Sequence, residues 1–253
     1  MSDSGRCTAV VTGSTKGIGR AIGMRLAREG FNVVLNYASD DGQADAAFSA
    51  CREVTPHVIV KKADVSQRGD VEELMTAAVD QFGSLDVLVN NAARVADGPA
   101  LTMTDDDWER VINTNMRGTF VCSQVAARHM IDQVDGGVIL NIGAATGLRA
   151  RKNGINTCAS KAGIMIMTQC LALELAPKVR VNSIIPGLTM TDEVVQRFNL
   201  TDPTVRQSRL DTIPLKRIGT PEDVADAVML LLSPQAQFVT GQKLHIDGGQ
   251  YMF

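Results

Sequence analysis

The sequence predicts an α/β protein built on a doubly wound parallel sheet of about seven strands with helices on both faces. Three observations predict it. Short apolar runs rich in Val and Ile recur along the chain and alternate with longer segments of helical period. The runs are mostly continuous in apolar character, as strands covered on both faces are. A glycine-rich turn joins the first run to the first helical segment.

The strand-like runs lie at residues 8–12, 33–36, 58–61, 87–90, 138–142, 180–185 and 243–246. Helical patterns fill the gaps. Segment 18–29 places Ile22 and Leu26 on one face. Segment 71–81 follows a turn expected at Arg68-Gly69-Asp70. Segment 105–130 reads as one long helix that opens with Thr104 as N-cap and acids in its first turn, where they favour the helix dipole. Segment 157–175 stops before Pro177, and 221–232 starts with Thr220 as N-cap and Pro at the first helical position. No Pro/Gly/Ser-rich linker or repeat divides the chain, so residues 1–253 are expected to form one domain.

Composition excludes several classes of function. Hydrophobic residues make up 45% and charged residues 21%, ordinary for a globular protein. A formal net charge of −3, with Lys and Arg scattered, gives no footprint for nucleic acid or an anionic membrane. Cys7, Cys51, Cys122, Cys158 and Cys170 are odd in number and lack C-x-x-C spacing, which argues against a disulfide framework or zinc site and for a reducing compartment. No signal peptide and no run of about 18 apolar residues is read, so the cytoplasm is expected. His57, His129 and His245 lack metal spacing, and no metal is expected.

After the first strand comes Gly13-Ser14-Thr15-Lys16-Gly17-Ile18-Gly19, opening into a helix. Glycines let the backbone turn and approach a pyrophosphate, and the helix start offers free N–H groups and a positive dipole end. The T-G-x-x-x-G-x-G spacing is followed, in order, by Ala63-Asp64-Val65, Asn90-Asn91-Ala92-Ala93, Asn115, Asn141-Ile142-Gly143, Ser160-Lys161-Ala162-Gly163, Pro186-Gly187 and a close from Thr240-Gly241-Gln242 to Asp247-Gly248-Gly249. Across essentially its whole length the chain resembles the short-chain dehydrogenases/reductases. The likeness is to their bacterial 3-oxoacyl-acyl-carrier-protein reductase and sugar/alcohol dehydrogenase branch. The resemblance implies a three-layer Rossmann fold, a nicotinamide cofactor and a small-molecule substrate.

It also implies the cofactor contacts. The glycine loop would hold the pyrophosphate. Asp64 with Val65 would meet the adenine, Asn90 with Asn91 and Ala92 the ribose, and Lys161 the nicotinamide ribose. Pro186, Gly187, Thr189 and Thr191 would line the nicotinamide, with Thr191 on its carboxamide. Where NAD-preferring members carry an acid at the end of the second strand, this chain has Tyr37, followed by Ala38 and Ser39. No carboxylate there repels a 2′-phosphate, and Lys16 is placed to attract one, so NADP(H) is favoured over NAD(H). Asp40 and Asp41 weigh slightly the other way.

The family's chemistry uses Ser, Tyr and Lys, with an Asn behind them. Lys161 and Asn115 match. The Tyr position, four residues before Lys161, is Thr157, and the Ser position, three before Gly147, is Ala144. The chain's only tyrosines are Tyr37 and Tyr251, neither a donor expected within this subunit. Loss of a general acid costs about 10²–10⁴-fold, so ordinary ketone reduction is expected to be poor. Two readings follow. One is a reductase with non-standard proton delivery to an activated C=N, C=C or C=O bond. The other is a non-catalytic NADP(H)-binding protein acting as a sensor or hetero-oligomer partner. Cys158, Met165 and Met167 read as packing residues, and Arg149 and Arg151 as a solvated loop. Family members usually form homotetramers, with homodimers or hetero-oligomers as alternatives. Residues 190–215 correspond to a substrate lid.

Overall fold

The computed structural model describes residues 5–252. Strands β1 (Thr8–Val11), β2 (Asn32–Tyr37), β3 (Val58–Lys62), β4 (Val87–Asn90), β5 (Gly137–Ile142), β6 (Val179–Pro186) and β7 (Lys243–Ile246) form a sheet of order β3-β2-β1-β4-β5-β6-β7. Every pairing is parallel. The register sets Val10 of β1 against Val34 of β2 and Leu88 of β4. Successive residues point to opposite faces. Val10, Val34 and Leu88 pack under α3 (Arg68–Phe82), α5 (Gly118–Asp132) and α6 (Ile155–Leu175). Ala9, Val11, Val33 and Leu35 pack under α1 (Gly17–Arg28), α2 (Asp41–Val54) and α9 (Pro221–Leu232). Two apolar layers flank the sheet, as the continuous runs required.

Strand order reverses between β1 and β4, opening a crevice at their carboxyl ends. The expected caps are in place. Thr104 accepts from the Asp107 N–H at the start of α4 (Asp105–Ile112). Thr220 and Asp223 form a reciprocal capping box behind Pro221.

Several expectations need correction. Arg68-Gly69-Asp70 is the first turn of α3 rather than a turn before it. The long helix from 105 is interrupted: α4 passes through a π segment, Asn113–Arg117, into α5. Three helices had no reading in the sequence: α2, α7 (Asp192–Arg197) and α8 (Pro203–Asp211). The buried face of α2 is Ala44, Ala47 and Cys51, too small to register as a hydrophobic stripe. Helices α7 and α8 fall within 190–215 and close on a small cluster of Leu200, Ile213 and Ile218. α6 has the length and apolarity to cross a membrane, although Asn156, Ser160 and Lys161 break its apolar run. It packs against β6, however, and those polar residues are buried.

Candidate active site at the sheet's switch point

The crevice is built on hydrogen bonds from β1 to β4. Thr12 Oγ1 accepts from the Asn91 and Ala92 N–H groups, both at 3.0 Å. Asn91 Nδ2 donates to the carbonyls of Thr12 (2.9 Å) and Gly13 (2.8 Å). The glycine loop is therefore tied down through its carbonyls. Gly13 has φ +59°, and a Cβ there would lie 2.9 Å from Ala92 Cα. A Cβ at Gly19 would lie 2.4 Å from both Asn91 Nδ2 and the Gly13 carbonyl. Ser14 Oγ accepts from the Asn36 N–H at 2.8 Å, and Thr15 is buried beside it. Lys16 is exposed at the N-cap of α1 and makes no side-chain cap; no acid stands in the first turn, which includes Ile18. The helix start thus presents bare N–H groups and a cation.

At the outer end of the crevice, Lys62 Nζ lies 5.8 Å above the Tyr37 ring and 3.0 Å from Asp41 Oδ1. The Tyr37 hydroxyl also bonds to Asp41, which raises the phenol above its ordinary range, while Lys62 lowers the Asp41 carboxyl. Asp41 is thus a paired carboxylate. Asp40 caps α2 by accepting from the Gln43 N–H.

Other residues named from the sequence are already engaged. The Asp64 carboxylate accepts from the N–H (2.9 Å) and hydroxyl (2.8 Å) of Ser66, and Val65 is buried in the core. Asn90 Nδ2 donates to Ser123 Oγ and Asn141 Oδ1, both at 2.9 Å, while its Oδ1 is buried without a partner. Beyond Pro186, Gly187 packs on Asp247, and Thr189 Oγ1 donates to the Gly187 carbonyl. Thr191 caps α7, and its methyl would lie 3.2 Å from a Cβ at Gly17, which puts the start of 190–215 over the glycine loop.

Asn115 stands in the π segment. Its Oδ1 accepts from the Arg94 N–H at 2.7 Å, and its Nδ2 donates to the Arg94 carbonyl (3.0 Å) and Ser160 Oγ (3.1 Å). Lys161 is buried and donates to the Ile142 carbonyl at 2.8 Å; burial pushes its pKa down to about 8. Ala144 leads into a short 3₁₀ turn whose Gly147 sits against the Lys161 backbone.

Thr157, one turn before Lys161 on α6, is buried. Its hydroxyl donates to Asp97 Oδ1 at 2.9 Å. Arg151 grips the same carboxylate with both terminal nitrogens. Arg151 is thus a paired residue and not the solvated loop cation expected, whereas Arg149 lies over the Tyr251 ring. Tyr251 packs on Ala145, Met165 and Ile185. Asp97 was missed in the sequence because it belongs to no motif and its partners lie 60 and 54 residues on. Asn156, which donates to the Ala96 carbonyl at 2.7 Å, and Asn153, whose carbonyl accepts from the Gly98 N–H, hold the Asp97 segment on α6. Among the described residues no group of three or more His, Cys, Asp or Glu is placed to hold a metal ion.

Residues 13–250 match the family described as Enoyl-(Acyl carrier protein) reductase. Over 246 residues the chain is 37% identical to a 3-oxoacyl-(acyl-carrier-protein) reductase of Staphylococcus epidermidis, covering 97% of this chain and 99% of that one. It is 39% identical over 248 residues to glucose 1-dehydrogenase 2 of Bacillus subtilis, covering 97% and 95% of the two chains. A short-chain dehydrogenase/reductase of Brucella melitensis, described as a glucose/ribitol dehydrogenase, is 32% identical and superposes with a TM-score of 0.89 over 98% of this chain and 97% of that one. The matches extend over nearly the whole chain and the solved structure superposes on its fold, so it belongs to the short-chain dehydrogenase/reductase family.

Proposed function

We propose that this chain is an NADP(H)-dependent reductase of a small molecule whose reacting bond, an activated C=N, C=C or C=O, does not take its proton from a tyrosine. One observation carries the reading: where the family pattern sets Tyr, the Thr157 hydroxyl has its proton committed to Asp97. An aliphatic hydroxyl is also a far weaker acid than a phenol, and Ala144 supplies no donor at the Ser position. Lys161 and Asn115 keep their family identities, which favours chemistry over a purely non-catalytic binding role.

The crevice suits the cofactor. A backbone cradle with no room for a Cβ at Gly13 or Gly19 fits a pyrophosphate, and the orphaned Asn90 Oδ1 fits a ribose hydroxyl. Gly13 to Gly19 would hold the phosphates, Lys161 the nicotinamide ribose and Thr191 the carboxamide. A bound nicotinamide would supply hydride. The preference for NADP(H) rests on Lys16, on Tyr37 in place of an acid, and on Asp41 being paired with Lys62. Residues 190–215 would cover the substrate, and a cytoplasmic homotetramer is the expected form.

The test is a fluorescence titration with NADPH and NADH, followed by a panel of ketones, enones and cyclic imines. NADPH should bind more tightly than NADH and be oxidised by at least one activated acceptor. Tight binding with no turnover on any acceptor would move the protein to the non-catalytic reading.

A further inference from the structure

We infer that the reacting atom of the substrate is a protonated nitrogen, so that the substrate is an iminium ion, cyclic or otherwise compact, and the product a secondary amine. The inference rests on the reductase reading above and narrows its substrate class.

The direction of one hydrogen bond is fixed by its partners. Asp97 is gripped on both oxygens by Arg151, so it is a carboxylate and accepts. Thr157 must then be the donor in the 2.9 Å contact. A hydroxyl that has given its proton away has only lone pairs left to offer on its other side. Ala144 offers nothing. Lys161 spends one N–H on the Ile142 carbonyl, and its other two are the ones that would hold the nicotinamide ribose. At the family's Tyr position the site thus has an acceptor, and at its Ser position no polar side chain at all.

A ketone oxygen placed there would set acceptor against acceptor and go unsatisfied, which is costly in a buried site. An iminium N–H is the complementary group: it would donate to Thr157 Oγ1, the one polar side-chain atom left facing it at the Tyr position. Asp97 acts through Thr157 and is a positioning residue. Held by Arg151 on both oxygens, it is fitted to orient the hydroxyl rather than to take a proton.

The reaction balances without an acid. Hydride reaches the iminium carbon from the reduced nicotinamide, a C–H bond forms and the C=N π bond breaks. Its electron pair stays on nitrogen as the amine lone pair. The N–H bond is kept throughout, and no proton is consumed. The substitution of Thr for Tyr is then what this substrate requires.

The experiment uses the full-length protein with 2-methyl-1-pyrroline, cyclopentanone and cyclohexenone as NADPH-dependent acceptors, and titrates 2-methylpyrrolidine calorimetrically into the NADP⁺-saturated protein. The imine should exceed the ketone in kcat/KM by at least about 100-fold. Its rate should fall as pH rises through the imine's own pKa. The amine should bind, and Asp97→Asn and Thr157→Val should each weaken it at least tenfold, while Thr157→Ser keeps it within a few-fold. The valine variant keeps the shape of Thr157 and guards against the case in which Asp97→Asn fails to fold. Equal turnover of imine and ketone, or amine affinity indifferent to both variants, overturns the inference and leaves the reductase reading standing. Bound NADPH with no acceptor turned over overturns the reductase reading and the inference with it.

Discussion

Thr157 and Lys161 sit one turn apart and illustrate two ways in which surroundings set a side chain's chemistry. For Thr157 it is the partner: Asp97 fixes which way its proton points. Replacing it tests that. Ala144→Ser with Thr157→Tyr restores two donors beside Lys161, and ketone reduction should rise by about 10²-fold or more, the order a general acid contributes; steady-state rates on cyclopentanone check this, and an unchanged rate would remove the argument that missing donors limit the site. For Lys161 it is burial, which lowers its pKa from 10.5 to about 8. Below that value both the folded and unfolded chains carry the proton, and folding bears the desolvation cost. Between pH 8 and 10.5 the unfolded chain binds more protons than the folded one, so stability attributable to Lys161 rises with pH across that window. The full change is about 3 kcal/mol. Lys161→Met has no such term, so urea midpoints of wild type and variant should converge or cross in favour of wild type as pH rises. Parallel pH curves for the two proteins would show that the lysine is solvated.

Helix ends and interruptions position these residues, and here the sequence was informative in uneven measure. The start of α9 was legible from Thr220 and Pro221 alone, though not the reciprocal bond from Asp223. The loss of the Thr220 cap can be weighed: Thr220→Ala removes the acceptor of the Asp223 N–H and should cost about 1 kcal/mol. That amounts to a fall of about 2–4 °C in Tm, read by differential scanning calorimetry; no change would mean that the packing of α9 on α1 alone sets its start. The strands were legible because β-branched runs buried on both faces have few other uses. The α2 helix was not, because alanines carry its buried face. The π segment was not, because it changes the hydrogen-bond pattern without changing composition; its product is the aim of Asn115 at the Arg94 backbone. The glycine loop was legible from its own strand–turn–helix setting, whereas Lys161 and Asn115 were named only through the family resemblance. Asp97 was legible by neither route, since only the folded sheet brings the segment after β4 over the start of α6.

At the scale of the molecule, α6 is apolar nearly all round, which calls for burial on more than one side. Its inner face meets β6 and α4. Its outer stripe, Ile155, Ala159, Ala162, Ile166, Cys170 and Leu173, is exposed at helical spacing, with Leu173 83% accessible. Phe120 and Ile131 on α5 are also exposed. A second apolar area lies at the β7 edge of the sheet, where Leu230 and Phe238 are exposed. One self-complementary face makes a dimer; two distinct ones make a tetramer of D₂ symmetry. Sedimentation velocity should therefore find a homotetramer. Ile166→Glu with Leu173→Glu places two charges on the α6 stripe and leaves the second face untouched, so the species should fall to a dimer with its helical circular dichroism unchanged. A monomeric wild type, or a variant that stays tetrameric, would mean that the α6 stripe is not the contact between copies.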